Sequence, residues 1–151
     1  MTQWRWLPFA DLSRTDLYAV FTLRQEVFVV EQRCAYSDID GRDPEAMHLL
    51  GVRDGQLAAY LRAFLPDAQG VATIGRVVVA VSERGNGTGR ELMEVGGHRI
   101  WEAFGPHPIR VSAQRRLHRF YEELGYEVTG AGYDEDGIPH LPMQHPGPAR
   151  G

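Results

Sequence analysis

A glycine-rich segment flanked by two arginines gives the first indication of chemistry in this chain. It runs Arg84-Gly85-Asn86-Gly87-Thr88-Gly89-Arg90, after an apolar stretch and before a stretch with helical character. A strand, a turn and a helix in this order present several backbone N–H groups to a phosphate at the helix N-terminus. Glycines allow close approach and positive φ angles, and arginines pair with phosphate oxygens. The segment therefore predicts a site for a phosphate-bearing cofactor.

The spacing of the glycines narrows the choice of cofactor. A P-loop ends in Gly-Lys-Ser or Gly-Lys-Thr, and this segment has no lysine. A dinucleotide fingerprint needs G-x-G-x-x-G, and Arg90 stands where its third glycine should be. The pattern that fits is R-x-x-G-x-G, formed by Arg84, Gly87 and Gly89. The alternative is an ordinary strand-to-helix turn that contains glycines.

The elements that must position this segment alternate between strands and helices. Apolar alternation predicts strands near 3–9, 47–52, 57–65, 71–81, 109–113, 126–129 and 140–143. Helical spacing predicts helices near 13–29, 88–104 and 115–124, with a polar loop over 31–43 and a mobile tail over 144–151. These elements predict an α/β or α+β fold, with a mixed central sheet flanked by helices, in a single domain over 1–151.

Composition excludes several classes of partner. The net charge of −4 gives no reason to expect nucleic-acid or anionic-membrane binding, and no window approaches the roughly 20 apolar residues of a membrane span. Cys34 is the single cysteine, so no internal disulfide can form, and we expect a cytoplasmic protein without a signal peptide. The histidines show no metal-ligand spacing, and we predict no metal.

Several segments, taken in order, resemble the GNAT acetyltransferase superfamily. The R-x-x-G-x-G pattern is similar to its acyl-CoA pyrophosphate loop, and the run Phe120-Tyr121-Glu122-Glu123-Leu124-Gly125-Tyr126 resembles its F-Y-x-x-L-G-F/Y helix end. The stretches 23–32, 38–43 and 136–140 are similar to ElaA-like members. The resemblance implies a GNAT-like fold with acetyl-CoA as acyl donor and an amine that attacks the thioester directly.

The resemblance also implies which residues hold the cofactor. The backbone of the central strand would pair with the pantetheine arm, and the loop N–H groups would meet the pyrophosphate. Gln114 stands where the family often places an asparagine on the cofactor. The implied cofactor-binding set is Val77, Val79, Arg84, Gly85, Asn86, Gly87, Thr88, Gly89, Arg90 and Gln114.

Tyr121 matches the position where many relatives keep a general acid. A tyrosine pKa is ordinarily about 10 and that of a thiol about 8.5, so full proton transfer to a thiolate is uphill. We therefore expect Tyr121 either to have a lowered pKa or to donate a hydrogen bond as the thiolate forms. The alternative is a tyrosine that only packs on its helix.

The general base is less well determined by the sequence. Glu31 and His48 are the main candidates, with Glu26, Asp38 and Asp40 in the same stretch, while His140 either lines the acceptor pocket or lies on the surface. The acidic loop over 31–43 would attract a positively charged or polar amine. Two other functions stay open: a non-catalytic acyl-CoA-binding sensor and an acyl-homoserine-lactone synthase-like enzyme. A homodimer is one candidate assembly.

Overall fold

An eight-stranded sheet forms the centre of the protein in the computed structural model, which describes residues 1–149. Its strands are β1 (Gln3–Pro8), β2 (Met47–Arg53), β3 (Gln56–Phe64), β4 (Ala72–Val79), β5 (Ile109–Gln114), β6 (Glu127–Val128), β7 (Tyr133–Glu135) and β8 (Ile138–His145). Their order is β1-β2-β3-β4-β5-β8-β6, with β7 paired to β8. Among the strands of residues 1–149, β4 and β5 alone pair in parallel, so the sheet is mixed, as predicted.

Helices cover both faces of this sheet. Helix α1 (Arg14–Arg24) begins at a capping box between Ser13 and Asp16 and continues as π-helix over Gln25–Glu31. Helices α2 (Thr88–Phe104) and α3 (His118–Glu123) follow β4 and β5. The pleat of β2 places Leu49 in the core shared with α2 and Leu50 in the core shared with α1. The sheet is therefore buried on both faces, as the predicted class requires.

The sheet opens between β4 and β5. These strands pair only at Ala72↔Ile109, Thr73↔Arg110 and Ile74↔Val111, although both continue beyond that point. On the other side of β4, a bulge against β3 contains Arg76, which has a φ of 52°. A bulge bends a strand and increases its twist, so the end of β4 turns away from β5.

The C-terminal region differs from the prediction at two places. Strand β8 extends to His145, which pairs with Ile109, so residues 144 and 145 belong to the sheet and not to a tail. Strand β7 was not predicted, because its three residues are polar or aromatic and exposed and show no apolar alternation. Asp136 and Gly137 have φ angles of 52° and 81° and join β7 to β8. Residues 150 and 151 of the predicted tail lie outside the described residues.

Candidate functional site

A cleft of about 970 Å³ lies where β4 and β5 separate. Its walls come from the π-helical segment and the loop after it, the end of β4, the glycine-rich loop, β5, α3 with the turn before it, and the β7–β8 hairpin. Of the predicted cofactor-binding residues, those that line it are Val77, Val79, Arg84, Gly85, Gly87, Thr88, Gly89, Arg90 and Gln114. Tertiary structure thus brings the loop and the end of β5 to one cavity.

The glycine-rich loop has the backbone conformation that a phosphate site needs. Gly85 and Gly87 have φ angles of 83° and 85°, and Gly87 is the N-cap of α2. Space beside both residues is open, because a Cβ built on either would meet no atom within 4 Å. Asn86 braces the turn by accepting hydrogen bonds from the Thr88 backbone N–H and hydroxyl at 3.2 and 2.5 Å. Further N–H groups at the start of α2 face an anion favourably.

The Arg84 guanidinium is hydrogen-bonded to other protein groups in this structure. Its guanidinium binds the Glu31 carboxylate through two hydrogen bonds of 2.7 and 2.8 Å, and its Nε donates to the Val79 carbonyl at 3.1 Å. The ion pair lowers the pKa of Glu31 and raises that of Arg84. Glu31 itself does not line the cleft. Arg84 must exchange Glu31 for a phosphate if it is to bind one, so the backbone N–H groups are the readier ligands.

Tyr121 lies in the cleft wall with a side chain that is 5% exposed. Burial raises the pKa of its hydroxyl to about 12. Relative to a thiol pKa of about 8.5, full proton transfer would cost ~5 kcal/mol at ~1.36 kcal/mol per pKa unit. No group within residues 1–149 forms a hydrogen bond with this hydroxyl. Of the two roles expected for Tyr121, hydrogen-bond donation is therefore the one compatible with its surroundings.

Gln114 closes the cleft at the end of β5. Its amide nitrogen donates to the Gln32 side chain at 3.3 Å, and its amide oxygen accepts from Arg116 at 3.1 Å. Gln114 thus connects β5 to the segment that follows the π-helix. On the opposite side, β4 has no strand partner toward β5 beyond Ile74, so the backbone around Val77 and Val79 presents a free edge to the cleft.

His48 is placed away from the cleft. It is 1% exposed, its Nε2–H donates to the Asp43 carbonyl at 2.9 Å, and its Nδ1 accepts from the Tyr60 hydroxyl at 2.6 Å. Burial lowers its pKa. Because both ring nitrogens are occupied, His48 has no free lone pair to take a proton from a substrate.

The acidic residues of the 31–43 loop are paired with arginines. Three aspartates and three arginines make up what we call the ion cluster: Asp38, Asp40, Asp43, Arg24, Arg62 and Arg76. Arg24 lies at its centre, 0% exposed, with contacts of 2.8 Å to Asp38 and 2.7 Å to Asp43. This pairing removes the free negative charge on which the expected attraction of a cationic amine to this loop rested.

The sequence did not predict that the β7–β8 hairpin forms part of the site. Glu135, Asp136, Ile138 and His140 line the same cleft as the glycine-rich loop. The sequence signal was present, because Asp136-Gly137 is a typical two-residue hairpin turn. The register between the hairpin and β5 decides which of its side chains face the cleft. The sequence alone does not reveal that register.

Two further features of the described residues concern metal binding and membrane insertion. Within residues 1–149, no group of three or more histidine, cysteine, aspartate or glutamate side chains is arranged to hold a metal ion. No helix in the same part of the chain is both long enough and apolar enough to cross a membrane.

The comparisons with known proteins agree with this architecture. The family model described as an acetyltransferase (GNAT) domain matches residues 11–145. The chain belongs to the GNAT acetyltransferase family of acyl-CoA-dependent acyltransferases, and within it to the ElaA-like members. The fold class and the resemblance drawn from the sequence are thereby confirmed.

Two relatives share both sequence and fold over almost the whole chain. The protein ElaA of Escherichia coli is 38% identical over 146 residues, which cover 95% of each chain. Its crystal structure superposes with a TM-score of 0.90, over 96% of this chain and 99% of that chain. An acyl-CoA N-acyltransferase of Pseudomonas aeruginosa is 39% identical, with a TM-score of 0.89 and the same coverage.

A more distant neighbour shows the fold alone. The crystal structure of an aminoglycoside 6'-N-acetyltransferase complexed with coenzyme A has a TM-score of 0.77 at 15% identity. The match covers 97% of this chain and 99% of the aminoglycoside acetyltransferase chain.

Proposed function

We propose that this protein transfers the acetyl group of acetyl-CoA to a primary amine by direct attack. The observation that carries the proposal is the cleft between the separated ends of β4 and β5, which is lined both by a glycine-rich loop with positive φ angles and by a polar hairpin. Direct attack requires both substrates to be bound together in near-contact, and a single cleft that the glycine-rich loop and the hairpin both line allows this.

Acetyl-CoA would lie with its pyrophosphate on the loop between Gly85 and Arg90. The N–H groups at the start of α2 donate to the phosphates, and the helix dipole adds about 0.3–1 kcal/mol. The pantetheine amides would complete the free edge of β4 near Val77 and Val79, as an added strand does at a sheet edge. This places the thioester deeper in the cleft, beside Tyr121.

Tyr121 would act on the leaving group. A neutral hydroxyl that keeps its proton donates a hydrogen bond to sulfur as the C–S bond breaks, and that bond strengthens as negative charge develops. The named activity of the P. aeruginosa relative, an acyl-CoA N-acyltransferase, supports the choice of acyl transfer to a nitrogen.

The test is an acceptor screen that follows free CoA thiol release from acetyl-CoA. We expect release with at least one primary amine and N-acetylated product by mass spectrometry. Saturable acetyl-CoA binding by calorimetry without turnover on any amine would overturn the proposal in favour of a sensor. Turnover with S-adenosylmethionine and not with simple amines would instead favour the synthase-like alternative.

A further inference from the structure

We propose that Glu135 and His140 form the site for the acceptor's primary ammonium group, with His140 as the general base. This inference rests on the proposed acetyl transfer. It names the residues that would bind and deprotonate the acceptor amine. Both residues lie on the β7–β8 hairpin and line the cleft.

The register of β8 turns His140 toward the cleft. In the antiparallel pairing with β5, His140 stands directly opposite Gln114, and directly opposed residues project on the same side of a sheet. On its other flank, His140 stands opposite Tyr133, whose ring stacks on the imidazole at 6.1 Å and 17°. His140 is 7% exposed, so its position is fixed by packing on both sides.

A backbone hydrogen bond sets the protonation site of the His140 ring. Its Nδ1 lies 2.7 Å from the Ile138 carbonyl oxygen, which can only accept, so Nδ1 carries the hydrogen. In the neutral ring the lone pair is then on Nε2, and Nε2 lies 3.3 Å from a Glu135 carboxylate oxygen. Two acceptors thus face each other, and a group that donates several N–H bonds and carries positive charge satisfies both. A primary ammonium has these properties.

The charges around His140 favour a cation at this point. Asp136 adds a second carboxylate at the hairpin turn, and its backbone carbonyl accepts from the Cys34 thiol at 3.4 Å. Arg76 lines the cleft but is bound to Asp38 and Asp40. Other titratable groups nearby are Tyr36, which donates to Asp38, Tyr133, which pairs with Ser112, Arg115, which lies near Gly132, and Arg116, which donates to Gln114 at 3.1 Å. The carboxylates of Glu135 and Asp136 are therefore not neutralised by arginine among the described residues.

The site accounts for every proton of the transfer. The ammonium first gives one proton to His140 Nε2, and Glu135 stabilises the imidazolium. The neutral amine then forms a C–N bond to the thioester carbonyl, and the C–S bond breaks on collapse of the tetrahedral intermediate. The second amine proton leaves with the CoA sulfur, whose developing charge Tyr121 supports. His140 finally returns its proton to solvent, so the net products are the amide, CoA thiol and one proton.

The first test needs no known acceptor. We would follow the ¹⁵N-labelled His140 ring by NMR in protein saturated with CoA, while adding methylammonium or tetramethylammonium. Both probes carry one positive charge, but only methylammonium has N–H donors. We expect a saturable shift of the Nε2 resonance with methylammonium alone, lost in Glu135→Gln. Equal responses to both probes, or a ring found with its hydrogen on Nε2, would overturn the proposal.

The second test separates the two roles by kinetics with an amine found in the acceptor screen. His140→Gln should lower kcat by about 10²–10⁴-fold, and Glu135→Gln should raise the amine KM by about 10-fold or more. The matched control is His118→Gln, because His118 lies 3.3 Å from Glu122 in a similar pair whose histidine is 44% exposed and outside the cleft. Unchanged kcat in His140→Gln, with acetyl-CoA binding intact, would refute the base and leave acetyl transfer standing.

Discussion

At the scale of single residues, burial decides what Tyr121 can do. A tyrosine in the general-acid position would need a pKa near that of the thiol to transfer its proton fully. Its apolar surroundings move the pKa the other way, to about 12. The hydroxyl therefore stays protonated throughout the neutral and mildly alkaline range and acts as a hydrogen-bond donor.

Tyr121→Phe should lower kcat by about 10²–10⁴-fold and leave the KM for acetyl-CoA nearly unchanged, because only the hydroxyl is removed. The ratio of wild-type to variant kcat should stay constant from pH 7 to 10, since a group with a pKa of about 12 does not ionise there. Steady-state kinetics over this range measure both. A ratio that falls steeply near pH 8 would indicate a lowered pKa and contradict this role.

Substituting a loop glycine can affect the protein in two ways. It can strain the backbone, and it can fill space that a ligand needs. A Cβ on Gly89 would make ordinary contacts of 3.7 Å with Val79 and Phe120. Gly89→Ala should therefore keep or slightly raise stability, because alanine favours helix by up to about 1 kcal/mol. Its methyl group enters the cleft, and we expect acetyl-CoA affinity to fall by about 1–3 kcal/mol as an overpacked contact.

Calorimetry and thermal unfolding of the same Gly89→Ala protein check the two effects. The control is Gly55→Ala, since Gly55 has a φ of 74° in the β2–β3 turn and is open to solvent. It should lose stability through backbone strain and keep acetyl-CoA affinity. If Gly89→Ala binds acetyl-CoA like wild type, the loop is not the pyrophosphate site.

At the scale of elements, the ion cluster joins α1 to the bulged strand that opens the sheet. Arg24 on α1 contacts Asp38 and Asp43, and Arg76 at the β4 bulge contacts Asp38. The bulge places Arg76 where an unbroken strand would not, so its φ of 52° is held by these contacts. The ion cluster thus supports both the 31–43 loop and the end of β4 at which the cleft opens.

Arg24→Met should destabilise the fold by up to about 3–5 kcal/mol, because it removes the fully buried arginine from Asp38 and Asp43, which then keep Arg76 and Arg62 alone. The comparison variant is Arg5→Met, which breaks a partly exposed pair with Asp16 and should cost no more than about 1 kcal/mol. Urea unfolding of both proteins measures the difference. Equal losses for the two variants would mean that the ion cluster is not the stabilising contact between α1 and the sheet.

At the scale of the whole molecule, cofactor binding and folding are linked. The cleft walls come from segments far apart in the chain, so only the folded protein offers the site. A ligand at 100 times its Kd stabilises such a protein by about 2.7 kcal/mol. In a chain of this size each kcal/mol raises Tm by about 2–4 °C.

Acetyl-CoA at that ratio should therefore raise Tm by about 5–11 °C. Inorganic pyrophosphate alone should give a smaller rise, because it lacks the pantetheine arm that pairs with β4. Differential scanning calorimetry measures both shifts. No change in Tm at saturating acetyl-CoA would mean that the folded protein does not bind it.

The sequence by itself determined the order of the main elements, the position of the glycine-rich turn of residues 84–90 between β4 and α2, and the family. These features are local, because the pattern of glycines and apolar residues acts through the backbone of neighbouring positions. Tertiary structure alone decided which histidine and acidic side chains reach the cleft. His48 and the acids of the 31–43 loop look equivalent to His140 and Glu135 in one dimension. In the folded protein, His48 and the acids of the 31–43 loop are paired with other protein groups. Strand register instead places His140 and Glu135 in the wall of the cleft.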